Sequence, residues 1–279
     1  MSSVHHPPRF AAASEVFTLS TPHVVLDRDG PIATITFNRP EARNAMTWPM
    51  YDALAELCGT LEGDASVRVA VLRGAGGKAF IAGTDIGQFR SFRTEEDGLE
   101  YERRLDAVVG RLEALAKPTI AAIDGATTGG GCAIAAACDL RVCTTRSRFG
   151  VPIARTVGNC LSAAKHALFL DLIGPTRLKE MLYTGRLFSA DEAAAAGLVN
   201  RVVEPDELDA VVAEYAETMA ANAPLTIRAS KEMIRRVQAH RRVEASLGRD
   251  LIVSCYTSAD FREGVQAFLD KRPPRWTGR

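Results

Sequence analysis

The 279-residue sequence lacks an excess of either charge, since 34 Lys and Arg balance 34 Asp and Glu. A chain without net charge sets up no whole-molecule field that draws in nucleic acid or an anionic membrane, so neither partner is expected. It also lacks any Cys-x-x-Cys pair: the six cysteines, Cys58, Cys132, Cys138, Cys143, Cys160 and Cys255, are scattered, mostly among Ala, Leu and Val. That spacing excludes a zinc site and a disulfide framework, and predicts small buried hydrophobes in a reducing, cytoplasmic compartment. Long apolar runs are missing too. The longest uncharged stretch, residues 125–138, is too short to span a bilayer. Residues 1–14 hold no apolar region of signal-peptide length and read as a frayed tail. Finally, the one glycine triplet fits neither G-x-G-x-x-G nor a Walker A loop, which leaves nucleotide hydride and phosphoryl chemistry unsupported.

What is present is ordinary globular composition, 47% apolar and 24% charged, enough for a sizeable core. Residues 24–37 read as two strands around Asp29-Gly30-Pro31, the second alternating as a half-buried strand should. Leu54, Leu57, Cys58 and Leu61 recur at helical spacing after Thr47 and Pro49. A buried strand is predicted over 67–72 and a glycine turn over 74–77. A helix capped by Thr94, with Asp97 three residues later, should run from about Glu95 to Ala116 before Pro118. Strands follow at 119–123 and 140–143, and helical periodicity dominates beyond Cys160. Ser189 and Glu192 form a capping box, with Gly197 closing that short helix. Strands separated by helices imply crossovers and a largely parallel sheet covered on both faces. The expected organisation is α/β: a flexible tail over 1–20, a core over 21–205 and a helical extension over 206–279.

Two segments could carry chemistry. Gly129, Gly130 and Gly131 sit between a strand and a helix of small apolar residues, where free N–H groups and the helix dipole favour negative charge. Close packing of helix on strand explains the same glycines equally well. Residues 78–86 form a second strand-to-loop junction with Gly83 before Thr84. Together the two segments could aim two N–H groups at one oxygen, as an enzyme does when a thioester carbonyl turns into an enolate.

These pieces carry a resemblance. Phe37-Asn38-Arg39-Pro40 through Ala45, residues 78–86, Ile123-Asp124-Gly125 through Asp139, Phe149-Gly150-Val151-Pro152, Thr184-Gly185-Arg186, Ala196-Gly197-Leu198-Val199 and Ala267 through Arg272 occur in the order and spacing of the crotonase (enoyl-CoA hydratase/isomerase) superfamily. The sequence resembles that superfamily over about residues 23–276. The resemblance implies a spiral of ββα turns, a helical C-terminal trimerisation region, a homotrimer or dimer of trimers, and acyl-CoA thioesters as substrates, with no cofactor or metal beyond the substrate's own coenzyme A. It implies an oxyanion hole made by the backbone amides of Thr84 and Gly130. Coenzyme A would lie along Ala42, Arg43, Ala45, Ala82 and Ile86, with Phe268 and Lys271 closing the nucleotide end, often from a neighbouring subunit.

The departures from the family matter as much. Its hydratases carry a glutamate shortly after the glycine triplet and another after the proline of Phe-Gly-x-Pro; here Ala133 and Ile153 stand there. Neither moves a proton, and a positioned acid or base supplies about 10²–10⁴ in rate, so two-carboxylate hydration does not carry over. The acyl end of the site should accordingly be more apolar than a hydratase's. Arg155, Asp85, Asn159, Cys160, Ser162 and His166 are the nearby candidates to replace the glutamates. Structural roles are favoured for Arg155, Asp85 and His166, and Cys160 would need a depressed pKa to act. Decarboxylation, thioester hydrolysis, double-bond isomerisation and a non-catalytic acyl-CoA-binding subunit all stay open beside hydration.

Overall fold

A computed structural model describes residues 21–239, 244 and 246–279; the predicted tail over 1–20 lies outside them. The hairpin forms as read: β1 (Val24–Asp29) pairs antiparallel with β2 (Ile32–Phe37), Val24 opposite Phe37, and Gly30 at φ 54 makes the turn. β2 then leads into parallel β3 (Val69–Gly74), β5 (Thr119–Ile123), β7 (Leu140–Thr144) and β10 (Arg201–Val203), in sheet order β1-β2-β3-β5-β7-β10. β3 starts two residues later than the apolar run that predicts it, because Val69 is the residue that pairs with Ile32.

Both faces of this sheet are covered, as parallel pairing requires. On one face Ile32, Val69, Val71, Ile120 and Val142 pack with Leu208, Val211 and Val212 of α6 (Leu208–Ala221). On the other, Ile35, Leu72, Ala121 and Ile123 join a larger core with Leu54, Leu57 and Leu61 of α1 (Trp48–Gly63) and Leu105, Val109 and Leu112 of α2 (Glu95–Ala114). Thr94 caps α2 through the predicted box with Asp97, whereas Thr47, although at the N-cap of α1, makes no side-chain capping bond. α2 ends at Ala114, two residues short of the expected Ala116, since Leu115 turns to extended backbone ahead of Pro118.

A second sheet escapes sequence reading. β4 (Ala79–Ile81), β6 (Ala126–Thr128), β8 (Arg148–Gly150) and β9 (Phe188–Ser189) pair in the order β4-β6-β8-β9. These strands have only two or three residues each, too few for an alternation to show, and are held by their neighbours rather than by propensity. β6 stands between Gly125 and the glycine triplet, so the helix after the triplet, α3 (Gly130–Ala137), follows this small sheet rather than the large one. α4 (Ala163–Thr184) begins at its Ser162 cap and kinks at Gly174 (φ 65, ψ 171) before Pro175. The capping box at Ser189 and Glu192 opens α5 (Ala190–Ala195), and Gly197 adopts φ 83. The helical end comprises α6, α7 (Pro224–Ala239), α8 (Arg249–Tyr256) and α9 (Ala259–Leu269). Among the described residues no helix is long and apolar enough to cross a membrane.

Candidate active site

The small sheet brings the two glycine turns together. Gly83 has φ 101 and a Cβ there would lie 3.4 Å from the Thr128 carbonyl; Gly129 has φ 54 and would place its Cβ 3.7 Å from Gly83 Cα. Gly131 faces the Ile81 carbonyl so closely that any side chain would collide with backbone. The triplet therefore serves packing and leaves backbone bare at one and the same place. The amides of Thr84 and Gly130 donate to no acceptor among the described residues. Gly130 is the first residue of α3, whose N–H has no partner within the helix and sits at the positive end of its dipole. The other end of α3 is held by buried Arg141, whose guanidinium donates to the carbonyls of Ala135 (3.3 Å) and Ala136 (3.2 Å) and, through Nε, to Leu198 (2.6 Å). Two oriented, unpaired N–H groups at adjacent turns can stabilise charge growing on one oxygen.

Thr84 and Gly130 open on a cavity of about 470 Å³. Ala42, Arg43, Ala45, Ala82 and Ile86 line one side of it, and Phe268, 51% exposed, reaches it from α9. Lys271 does not line it. This side is braced by Asn44, which the sequence did not single out for the task, and by Asp85, which it did. Buried Asn44, at φ 56, accepts from Arg39 N (2.9 Å) and donates to the carbonyls of Ala75 (3.0 Å) and Ala79 (2.8 Å). Asp85 accepts from Gly87 N (3.0 Å) and pairs with Arg39 Nη1 (2.7 Å), which ties down its loop as expected.

The opposite side holds the surprise. Ile153, Val157, Leu161 and Leu105 do line it, as the loss of carboxylates predicts, but Tyr101, Asn159 and Lys165 line it as well. Polar side chains therefore share this side with the apolar ones: Tyr101 from α2, Asn159 from the loop before α4, and Lys165 from α4. Ala133 itself lies in the core, 1% exposed, and does not reach the cavity. Lys165 is also only 1% exposed, yet its Nζ contacts Glu102 Oε2 (2.9 Å) and Asp106 Oδ1 (2.6 Å). Burial pulls its pKa down, but the two carboxylates outweigh it and the net shift is upward. Glu102 further accepts from Ser162 N (2.8 Å) and Tyr256 OH (2.7 Å), and Asn159 Nδ2 donates to the Tyr256 oxygen (2.9 Å). Asn159 Oδ1 is left buried without a partner.

Beside Gly130 lies a chain of hydroxyls. Tyr51 OH and Thr84 Oγ1 are 2.7 Å apart, and Thr84 Oγ1 and Tyr101 OH 3.0 Å. Burial, above all, drives the pKa of both tyrosines upward, so they stay protonated.

Several candidates take no part in the cavity. Arg155 is exposed and away from it. His166 packs its ring Nδ1 3.0 Å from the Ser162 carbonyl, in the turn below its own helix. Ser162 caps α4 and donates to Asp106 (2.7 Å). Cys160 and Cys255 are half-buried rather than buried like the other four cysteines. Their thiols share a hydrogen bond that raises Cys160 and, by the same contact, lowers Cys255 to about 7, so Cys160 is the inert member.

Lys165 and Glu102 do leave a trace in the sequence. Each sits on an apolar stripe, Lys165 with Leu168, Phe169 and Leu172, and Glu102 with Leu99, Leu105 and Val109. A lone charge on a buried helical face needs a partner, but only the fold says which.

Comparison with known proteins places this architecture. The enoyl-CoA hydratase/isomerase family model matches residues 27–279. The short-chain-enoyl-CoA hydratase of Clostridium acetobutylicum is 35% identical over 251 residues, 90% of this chain and 95% of that protein. An enoyl-CoA hydratase/carnithine racemase from Magnetospirillum magneticum superposes with a TM-score of 0.76 at 39% identity, covering 93% and 97% of the two chains. A methylmalonyl-CoA decarboxylase in complex with 2-nitronate-propionyl-CoA superposes with a TM-score of 0.84 at 27% identity, covering 92% and 99%. With the family's sequence pieces in order and its fold built around the two glycine turns, the chain belongs to the enoyl-CoA hydratase/isomerase (crotonase) family and is an acyl-CoA-processing member of it.

Proposed function

We propose that this protein stabilises the enolate of an acyl-CoA thioester between the amides of Thr84 and Gly130, and that its reaction is decarboxylation of a malonyl-type (2-carboxyacyl) thioester. The observation that carries this reading is the pairing of two unpaired amides with Ala133 and Ile153, which cannot act as acid or base. Hydration needs proton carriers on both water and enolate. Decarboxylation needs none to begin: the bond to the carboxylate breaks, its electron pair enters the thioester as the enolate, CO₂ leaves, and one proton returns to the carbon. Ile153, Val157 and Leu161 on the cavity wall disfavour a solvated carboxylate and tolerate neutral CO₂. The likeness to a methylmalonyl-CoA decarboxylase supports the same reaction, which requires no metal or redox cofactor.

Coenzyme A is placed along Ala42, Arg43, Ala45, Ala82 and Ile86, with Phe268 at the nucleotide end and Lys271 contributed from a neighbouring copy. Leu225, Met233, Ile234 and Val237 on α7 stand exposed in this single chain, which supports the expected homotrimer or dimer of trimers. Hydration is the second reading, favoured by the names of the relatives.

Incubation with malonyl-CoA, methylmalonyl-CoA and crotonyl-CoA, followed by mass spectrometry, separates the two. Loss of CO₂ from a 2-carboxyacyl thioester with crotonyl-CoA untouched is the expected result. Crotonyl-CoA turnover at about 1–10³ per second would overturn it, and consumption of none of the three would favour a binding subunit.

A further inference from the structure

The proposed reaction leaves one requirement unmet, a proton for the enolate carbon, and a chain of hydroxyls lies beside Gly130. Tyr51, Thr84 and Tyr101 carry three O–H protons but make only two contacts with one another, at 2.7 and 3.0 Å, and no other partner for these hydroxyls exists among the described residues. One proton is therefore always unspent. Its place follows from the surroundings. Tyr51 is 1% exposed, and a Cβ on Gly130 would come 2.6 Å from its oxygen, so a proton there would have nothing to meet. The arrangement in which Tyr51 donates to Thr84 and Thr84 donates to Tyr101 leaves the spare proton on Tyr101, which lines the cavity. Donors aligned in one direction polarise one another. The same Thr84 contributes its amide to the hole, and its Oγ1 would be 3.2 Å from a Gly130 Cβ, so the chain runs alongside the oxyanion site.

We propose that Tyr101 is the acid of the reaction, delivering its hydroxyl proton to the α-carbon of the enolate held by Thr84 N and Gly130 N. The inference rests on the acyl-CoA reading above. In this step the Tyr101 O–H bond breaks, the enolate electron pair becomes the new C–H bond, and the thioester carbonyl is restored. The Thr84 hydroxyl donates to the tyrosinate oxygen until water, admitted as product leaves, returns a proton. Tyrosines kept protonated by burial remain loaded over the neutral range, and a thioester enolate is a far stronger base than tyrosinate.

The test compares wild type with Tyr101→Phe and Thr84→Val, the latter keeping the amide and removing the hydroxyl. With methylmalonyl-CoA in D₂O, wild type should form propionyl-CoA deuterated on one face. Tyr101→Phe should lower kcat by about 10²–10⁴, scramble the deuterium between faces and leave affinity for propionyl-CoA within threefold; Thr84→Val should scramble likewise. A Tyr101→Phe enzyme that keeps kcat within threefold and one-face deuteration overturns the proposal. Should wild type decarboxylate nothing, the decarboxylase reading fails and binding decides the role of Tyr101. Wild type must then bind 2-nitronate-propionyl-CoA, an enolate mimic, at least tenfold more tightly than propionyl-CoA, with Tyr101→Phe erasing the difference. Equal affinities of wild type for the two thioesters, or a difference that survives Tyr101→Phe, would overturn it.

Discussion

The two walls of the cavity are built by different means. The wall of Gly83, Thr84 and Gly129 to Gly131 is backbone, set by short-range conformation: positive φ at Gly83 and Gly129, and a helix start that leaves one amide without a partner. The wall of Tyr101, Asn159 and Lys165 is side chain, set by a buried ionic network joining α2, α4 and α8. The first is fixed by positive φ at Gly83 and Gly129 and by the closeness of Tyr51 and Ile81 to Gly130 and Gly131, whereas the second is held by the ion pairs of Lys165 with Glu102 and Asp106. In a backbone wall the expensive error is an added atom; in a polar wall it is a removed one.

The largest effect should come from breaking the polar wall. Lys165→Met leaves Glu102 buried, and Asp106 partly buried, without their counter-ion and should cost about 3–5 kcal/mol of stability, read from urea unfolding; a loss below 1 kcal/mol would show that the network is not a tightly coupled one. Its pH dependence has a definite sign. The folded-state pKa of Lys165 is raised above the ordinary 10.5, so its contribution is complete below that value and lost only as pH rises through the raised one. Wild type should therefore show an alkaline fall in Tm above pH 10.5 that Lys165→Met lacks.

Removing one amide tests the backbone wall. Gly130→Pro, made in a Tyr51→Phe background to vacate the oxygen that its Cβ would strike, should lower kcat by about 10²–10³ relative to Tyr51→Phe alone. Unchanged kcat in a folded variant would remove Gly130 N from the mechanism. Next in size, Gly131→Ala forces a Cβ against the Ile81 carbonyl and should destabilise by about 1–3 kcal/mol. A neutral result would mean that α3 shifts freely on β4. The smallest effect sharpens the contrast by touching neither wall: Thr94→Ala removes the α2 cap and should cost about 1 kcal/mol with kcat unaltered. A large activity loss there would show that the position of α2, and with it Tyr101, depends on its remote end.

How much was legible follows the same division. The hairpin, the strands at 119–123 and 140–144 and the caps at Thr94 and Ser189 are local patterns and stand where the residues place them, whereas β10, three residues long, fell in a stretch read as helical. The glycine turns were legible as turns that leave backbone bare, and the family's sequence pieces pointed to Thr84 and Gly130 within them. Strands β4, β6, β8 and β9 were not legible, being too short to carry a period. Nor was the wall of Tyr101 and Lys165, 64 residues apart in the chain, whose meeting depends on α4 packing back toward α2. Asn159 stood among the candidates by its place in the divergent loop, but its tie to Tyr256 and its orphaned carbonyl required the fold.

By itself, then, the sequence determined the family, the opening hairpin, most of the large parallel sheet and the caps at Thr94 and Ser189, because caps, turns and alternation act over a few residues and need no distant partner. Only the tertiary structure decided which polar side chains share the cavity. A buried charge or hydroxyl acquires its role from whatever neighbours exclude water around it, and the neighbours of Lys165, Glu102 and Tyr101 come from helices that sequence separation alone does not bring together.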